Sequence, residues 1–478
     1  MEDTLHAKCS CQQCGNHISF PLEAADCTVA CPHCRKQTRL TLEAPPPEVA
    51  AGLTAAEIIN SFSGPVRRTP VSLFYQIGLV FVTIMMVILP LMYVAMVLAV
   101  AYGVYAYATH FTFLLEATTG SVRLYLLKLL LYITPLFVGV VLVFFMIKPL
   151  FARRAQHAQP LALDPGINST LYAFIARICE TVGAPMPKRI DLTCDLNAAA
   201  GFRRGIWSMF CNDLVLVIGL PLVANLNLRE FAGVMAHEFG HFTQGFGMRL
   251  SYVIRSINGW FARVVYERDA WDVTLTEWAE DTEDARVMIL VNCARLGVWG
   301  SRQLLLLLML IGHGVSCFLL RQMEYDADSY EIKLAGSEAA EATIKRLNIL
   351  GAALGNSYND MKTVWITNKK LPDNYPAFLA QHVAALPAQL RMTIEDTVGL
   401  AKTGLFDTHP SDGDRIRKAR QADEPGVFQL EAPAAIMFAN FDVVARQVTL
   451  LHYNEDLGLG CNSSHLQPVQ SMPDAQAS

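Results

Sequence analysis

From Thr69 to Leu115 the chain contains no Asp, Glu, Lys or Arg. A helix crosses the hydrocarbon of a bilayer in roughly 20 apolar residues, and Leu73–Tyr107 is long enough to do so. A second uncharged run, Leu129–Ile147, follows Lys128, whose ammonium can snorkel to the headgroups. These runs predict two transmembrane helices, at about 73–101 and 124–147. Pro90 lies midway along the first run, and a turn there would make it cross twice. The flanking charges argue against that. Arg67 and Arg68 precede the first run, and Lys148, Arg153 and Arg154 follow the second. Basic flanks face the cytoplasm, so both ends are cytoplasmic; two crossings satisfy this and three do not. The first apolar run begins only near Leu73, so no N-terminal signal peptide is expected.

Composition agrees with a bilayer protein. Charged residues are 17% of the chain, hydrophobic residues 53%, and the mean hydropathy is +0.30. Soluble domains carry about 25% charge. With a net charge of −5, the chain is neither intrinsically disordered nor a nucleic-acid binder running on bulk positive charge. No nucleic-acid partner is expected.

Half of the 12 cysteines lie in the first 34 residues. Cys11 and Cys14 form one C-x2-C, and Cys31 and Cys34 form a second, with sixteen residues between them. Two such knuckles each aim two sulfurs at one tetrahedral ion, which is the pattern of a structural zinc ribbon. Cys9 and Cys27 flank the pairs as substitutes. A disulfide framework would need an oxidising compartment. Reduced thiolates instead place the ribbon on the cytoplasmic side, in agreement with the flanking charges.

The chain therefore divides into a ribbon (1–44), a linker (45–70) opening on Ala44-Pro-Pro-Pro-Glu48, two transmembrane helices with a short extracytoplasmic loop (71–150), a globular domain (151–425) and a C-terminal segment with a disordered tail (426–478). In the globular part Ile167–Val182 reads as an amphipathic helix, and Arg189–Thr193 and Leu214–Ile218 read as strands. Asn227-Leu-Arg-Glu230 has the form of a capping box, opening a helix from about Leu228 to Phe246.

On that helix lies His237-Glu238-Phe239-Gly240-His241, an H-E-x-x-H. Residues i and i+4 share a helix face, so both imidazoles can bind one zinc ion. Glu238, one step round, can take the proton of a water held beside the metal. This spacing suits zinc-dependent peptide hydrolysis. A catalytic zinc takes three protein ligands and keeps one position open. Glu324, in Glu324-Tyr-Asp-Ala-Asp328, is the best third ligand, with Asp328 four residues on to orient a ligand histidine. Spacing alone leaves open a plain acidic helix start there.

These motifs together resemble those of the membrane-anchored gluzincin zinc metallopeptidases of the HtpX and CaaX prenyl protease type. Asn197-Ala-Ala-Ala200, a strand and Gly219-Leu220 resemble the lead-in to that family's catalytic helix, and Arg229-Glu230 its acidic start. Thr408-His409-Pro410-Ser411 with Arg415-Ile416 resembles the family's downstream T-H-P-x-x-x-R-I signature, and Phe239 stands where the family usually has Leu. The likeness covers roughly residues 160–420 and not the ribbon. It implies a mainly helical gluzincin domain with a small β-sheet, His237, His241 and Glu324 as catalytic zinc ligands, and Glu238 as base. His409 would donate to the oxyanion of the transition state, although it could equally pack or cap the helix that Pro410 starts.

The resemblance also suggests an edge strand that pairs with extended substrate, for which Trp207–Ile218 is the candidate. The apolar stretch Leu304–Leu320 lies between His241 and Glu324. A single crossing there would put the ligands on opposite sides of the membrane. A pair of crossings would need 287–301 as partner, which contains Arg295. The stretch is therefore expected to be a helix buried in the domain or resting at the membrane surface, with His313 a satisfied core histidine. The overall expectation is an integral protein of a bacterial inner membrane whose ribbon and peptidase domain face the cytoplasm. It would use one catalytic and one structural Zn2+ and act on protein or peptide substrates, including membrane or misfolded proteins. The alternatives are a CaaX-type prenyl-protein processing enzyme and a non-catalytic membrane adaptor whose ribbon binds a partner.

Overall fold

A computed structural model describes residues 6–10, 17–21, 28–39, 53–70, 72–115, 122–151, 160–203, 213–243, 246–268, 273–274, 277–278 and 285–472. At the N-terminus β1 (His6–Ser10) pairs antiparallel with β2 (His17–Pro21), and β3 (Thr28–Ala30) with β4 (Gln37–Arg39). Each hairpin brackets one cysteine pair. Cys11 and Cys14 lie outside the described residues. In the second hairpin the Cys31 N–H donates to Lys36 O (2.9 Å), Arg35 N–H to Cys31 O (2.8 Å) and His33 N–H to Cys31 Sγ (3.4 Å). Arg35 completes this tight knuckle at φ +59°.

The segment read as a linker is not free over 53–70. Thr54 and Glu57 form a capping box that opens α1 (Ala55–Asn60). Ile58, Phe62 and Val66 then bury in the main core, where Phe62 meets Phe428 with ring centroids 4.5 Å apart. The apolar spacing of Ile58, Phe62 and Val66 gives this stretch a face to bury.

Two long apolar helices come next, α2 (Leu73–His110) and α3 (Val122–Ile147). Pro90 lies inside α2, which runs on without turning, so the first run does not double back. After β5 (Leu161–Ala162) and α4 (Ser169–Val182) come β6 (Arg189–Thr193), β7 (Ala198–Phe202) and β8 (Leu214–Gly219). The sheet order is β5-β6-β8-β7, with β6 and β8 parallel and β7 antiparallel to β8. Of the candidate edge strand Trp207–Ile218, residues 207–212 lie outside the described residues and Leu214–Ile218 is paired on both sides, so β5 and β7 are the edges among the described strands. Alternating burial marks a strand but does not say whether it has one neighbour or two.

Two helices carry the chemistry. After the short α5 (Leu220–Asn225), α6 (Leu228–Gly240) begins at Asn227, whose Oδ1 accepts from Glu230 N–H (2.8 Å) while Glu230 Oε2 accepts from Asn227 N–H (3.0 Å). Leu228, Phe231, Ala232, Met235, Ala236 and Phe239 are wholly buried along α6. The helix stops at Gly240 and not at Phe246, but His241 keeps helical angles (φ −59°, ψ −26°), so the i, i+4 relation to His237 survives. Next, α7 (Phe246–Tyr266) packs against α8 (Ala285–Ala335), a single helix of 51 residues.

Leu304–Leu320 is therefore the middle of α8, and 287–301 is its continuation and not an antiparallel partner. By length and composition, three described helices could cross a membrane: Leu73–His110, Val122–Phe151 and Val291–Ala335. A close approach joins α8 to α2: a Cβ at Gly312 would stand 2.9 Å from Leu89 Cδ1 and 3.2 Å from Met86 Cε. His313 is not in the core. It is half-buried and its Nε2 lies 2.7 Å from Phe406 O.

The rest closes around the peptidase core: α9 (Ser337–Asn368), β9 (Leu371–Pro372), α10 (Tyr375–Ala385), α11 (Ala388–Val398), α12 (Asp412–Ala422) and α13 (Phe441–Leu451). The C-terminal segment is an integral part of that core. Phe428, Ala434, Met437 and Tyr453 are wholly buried, β10 (Leu466–Gln467) pairs with β9, and Val469 and Met472 are buried. The polar stretch 462–472 is held because it pairs with β9 and tucks these two apolar side chains inward, while the expected disordered tail at 473–478 lies outside the described residues.

Candidate metal centre and active site

Helix α6 presents His237 and His241 on one face, and α8 lies across it. A Cβ at Gly240 would meet Tyr330 Cδ2 at 3.1 Å and Ala327 Cα at 3.2 Å, so glycine lets the two backbones approach. That approach brings Glu324 to the histidines. His237 Nε2 lies 3.5 Å from Glu324 Oε2, and His241 Nε2 lies 3.9 Å from Glu324 Oε1. One ligand atom from each of the three residues lies within 4.8 Å of the others. The two rings stand nearly perpendicular, at 88°, with centroids 5.1 Å apart.

Donors at these separations suit one ion with bonds of roughly 2.0–2.2 Å, and three of them leave a fourth position open. Nitrogen and carboxylate donors of this kind are zinc ligands. The residues present fit that metal.

The other ring nitrogen of His237 faces two carboxylates, although it makes no hydrogen bond of good geometry. Its Nδ1 lies 3.1 Å from Asp328 Oδ1 and 3.8 Å from Glu331 Oε2. Arg415 closes the back of this pair: its Nε donates to both Asp328 oxygens (3.1 Å each) and its Nη2 to Oδ1 (2.7 Å), with Glu331 Oε2 3.5 Å away. Asp328 is thus placed to orient His237, and Arg415 to hold Asp328. His237, Asp328 and Glu331 form a second group with metal-ligand spacing, but the Arg415 guanidinium already supplies the cation there.

Electrostatics separate the two histidines. Burial opposes a charge on His237, but Asp328 and Glu324 outweigh it and lift its pKa to about 10. Burial, with the charge on His237, pushes His241 down to about 3. The buried Nδ1 atoms of both histidines lack a hydrogen-bond partner among the described residues. Glu238 is pushed up, chiefly by burial. Its Oε2 accepts from Ala200 N–H (3.3 Å), a donor on the outer side of β7.

Two cavities flank this centre. One of about 190 Å3 includes Ala198, Glu238 and Arg415 in its lining. The other, of about 500 Å3, runs along α7 and α8 and includes Arg255, His313, Glu324 and His409. His409 Nδ1 lies 3.4 Å from Glu324 Oε2, while its side chain is 67% exposed. Three participants were not foreseen. Glu331 had a signal, because 324, 328 and 331 follow i, i+4, i+7 on one face of a helix. Arg255, whose Nη2 donates to Glu324 Oε1 (2.5 Å), and the Ala200 N–H had none, because each reaches the site from a separate element.

This arrangement of a helix-borne histidine pair, a carboxylate from a second helix and long apolar helices is that of a membrane-anchored zinc metallopeptidase. The chain belongs to peptidase family M48, whose model matches residues 168–423. It is 23% identical over 263 residues to the protein named Protease HtpX in Acinetobacter baumannii strains AYE, SDF and AB307-0294, covering 54% of this chain and 73% of each relative. No solved structure matches the chain.

Proposed function

We propose that this protein is a zinc-dependent endopeptidase with Glu238 as general base and His237, His241 and Glu324 as ligands. The observation that supports it most is the convergence of two imidazole Nε2 atoms and one carboxylate within 4.8 Å, with the Glu238 carboxylate on the next helical position. Zinc bound there would polarise a peptide carbonyl and bring a water's pKa toward about 7. Glu238 takes the proton of the attacking water and returns it to the leaving nitrogen. Its raised pKa suits both tasks. Asp328, held by Arg415, keeps the His237 Nδ1 proton in place and so keeps Nε2 free to ligate. His409, at the rim beside Glu324, donates to the developing oxyanion. Substrate lies extended along the outer edge of β7, where Ala200 already meets Glu238.

Substrates are proteins or peptides, among them membrane or misfolded proteins, reached from the apolar helices beside the larger cavity. The ribbon, with Cys11, Cys14, Cys31 and Cys34, holds a separate structural zinc. Ribbon and peptidase domain face the cytoplasm, at a bacterial inner membrane. The test is proteolysis of casein by detergent-purified protein, with zinc measured by mass spectrometry. Glu238→Gln should keep its metal and lose about 10²–10⁴ in rate. Near wild-type cleavage by this variant would remove Glu238 from the mechanism.

A further inference from the structure

The loop between α11 and α12 carries His409 to the site, and its tip is apolar and bare. Leu405 is 75% exposed and Phe406 61% exposed. The loop is not loose at its base. Thr403 N–H donates to Asp414 Oδ2 (2.9 Å), Ser411 N–H donates to Thr403 Oγ1 (2.9 Å), and Gly404 N–H donates to Asp407 Oδ2 (2.6 Å). The polar frame fixes the base of the loop, while two large apolar side chains at its tip stay mostly exposed, where a solvated loop would carry polar ones.

The tip docks on the apolar middle of α8. Arg321 Nη1 donates to Gly404 O (2.5 Å), Cys317 Sγ lies 3.7 Å from Leu405 O, and a Cβ at Gly314 would be 3.8 Å from Phe406 Cε1. On the same stretch of α8 Phe318 is 66% exposed. Across a groove from Phe318 lie Phe74 and Phe81 of α2, also bare. The two helices are in contact at this level, where a Cβ at Gly78 would lie 3.8 Å from Leu319 Cδ2. The apolar surface of the long helices therefore reaches down to the level of the loop, and Leu405 and Phe406 continue it. Exposed Lys402 stands beside the tip, as a cation at headgroup level does.

We propose that Leu405 and Phe406 form a wedge that inserts in the bilayer surface, and that lipid contact holds the loop that positions His409 at Glu324. His409 has most of its ring exposed, so its place depends on the loop that carries it. The wedge stands on the apolar surface alone; the coupling to His409 rests on the peptidase reading.

Two measurements test it on the full-length protein in vesicles of phosphatidylcholine and phosphatidylglycerol. In the first, Phe406→Trp is compared with the unsubstituted protein when part of the lipid carries brominated acyl chains. Extra quenching from the new tryptophan is expected. Its absence overturns the wedge, including the case in which a second copy covers the tip. In the second, the double variant Leu405→Ser, Phe406→Ser is assayed on a soluble peptide. It should keep its zinc and KM and lose about tenfold in kcat, part of the roughly 10²–10³ that removing one oxyanion donor costs. Leu405→Ile with Phe406→Leu should restore the rate. An unchanged kcat, or no rescue, overturns the coupling. If the unsubstituted protein cuts no peptide, the peptidase reading fails, and the quenching measurement still decides the wedge.

Discussion

Asp328 shows how one carboxylate is given a task by its neighbours. It lies between His237 Nδ1 (3.1 Å) and the Arg415 guanidinium (2.7 Å). Such a partner fixes which nitrogen of a ligand histidine carries the proton. Asp328→Asn keeps the shape and removes the charge, so zinc should bind about 10–100-fold more weakly. A competition titration with a zinc chelator checks this, and an unchanged affinity would mean that Asp328 does not orient His237. At this scale much was legible. His237, Glu238 and His241 declare themselves because helix geometry alone places i and i+4 together. Glu324 was named as the best third ligand with the help of a family motif, while its spacing alone left a plain acidic helix start open, because its approach depends on how α8 crosses α6. Arg255 was invisible for the same reason, since nothing in the residues around it refers to a carboxylate 69 positions later.

The contact between α6 and α8 is where element packing sets ligand geometry. Gly240 is the closest point, and Gly240→Ala would press a methyl against Tyr330 and the backbone at Ala327. Overpacking of this kind costs about 1–3 kcal/mol. Because α6 carries the histidines and α8 carries Glu324, thermal stability and zinc affinity should fall together. A variant that lost neither would show that this contact does not set the ligand distances. A second junction ties α9 to α12. Glu341 accepts from Arg420 Nε (2.7 Å) and Nη2 (2.6 Å) and from Lys345 Nζ (2.7 Å). Chiefly through Arg420, its carboxyl is held down at about 2 against an ordinary 4.5. A carboxylate with a depressed folded pKa adds stability above its unfolded pKa and loses it as pH falls toward the folded one. Glu341→Gln should therefore be less stable at pH 7 by no more than about 1 kcal/mol, since Arg420 is exposed to solvent. The difference in melting temperature should close between roughly pH 5 and pH 2. A gap that persisted at the acid end would assign the effect to packing.

In the sequence the cysteine pairs at 11–34 and the histidine pair at 237–241 are separated by the apolar helices α2 and α3. If both take zinc, the purified protein should carry about two ions per chain, and Cys31→Ser should remove one while proteolysis persists. Loss of both ions together would contradict independent sites. The apolar helices raise a different point. Leu304–Leu320 read as a short separate helix because only its middle is free of charge, whereas α8 continues for 51 residues through both polar flanks. Hydropathy reports which segment can leave water, not where a helix stops. The stretch 53–70 and the residues after 426 looked peripheral by composition, yet both supply side chains to the main core.

What the amino-acid order alone determined is what local geometry dictates: uncharged runs long enough for a bilayer, a helix opened by a capping box, and two histidines one turn apart on it. The tertiary structure decided how closely Glu324 approaches them, which described strands form the sheet edges, and which loop brings His409 to the metal centre. Those outcomes depend on contacts between residues tens to hundreds of positions apart. Backbone periodicity carries no record of such contacts, because close packing of whole elements selects them.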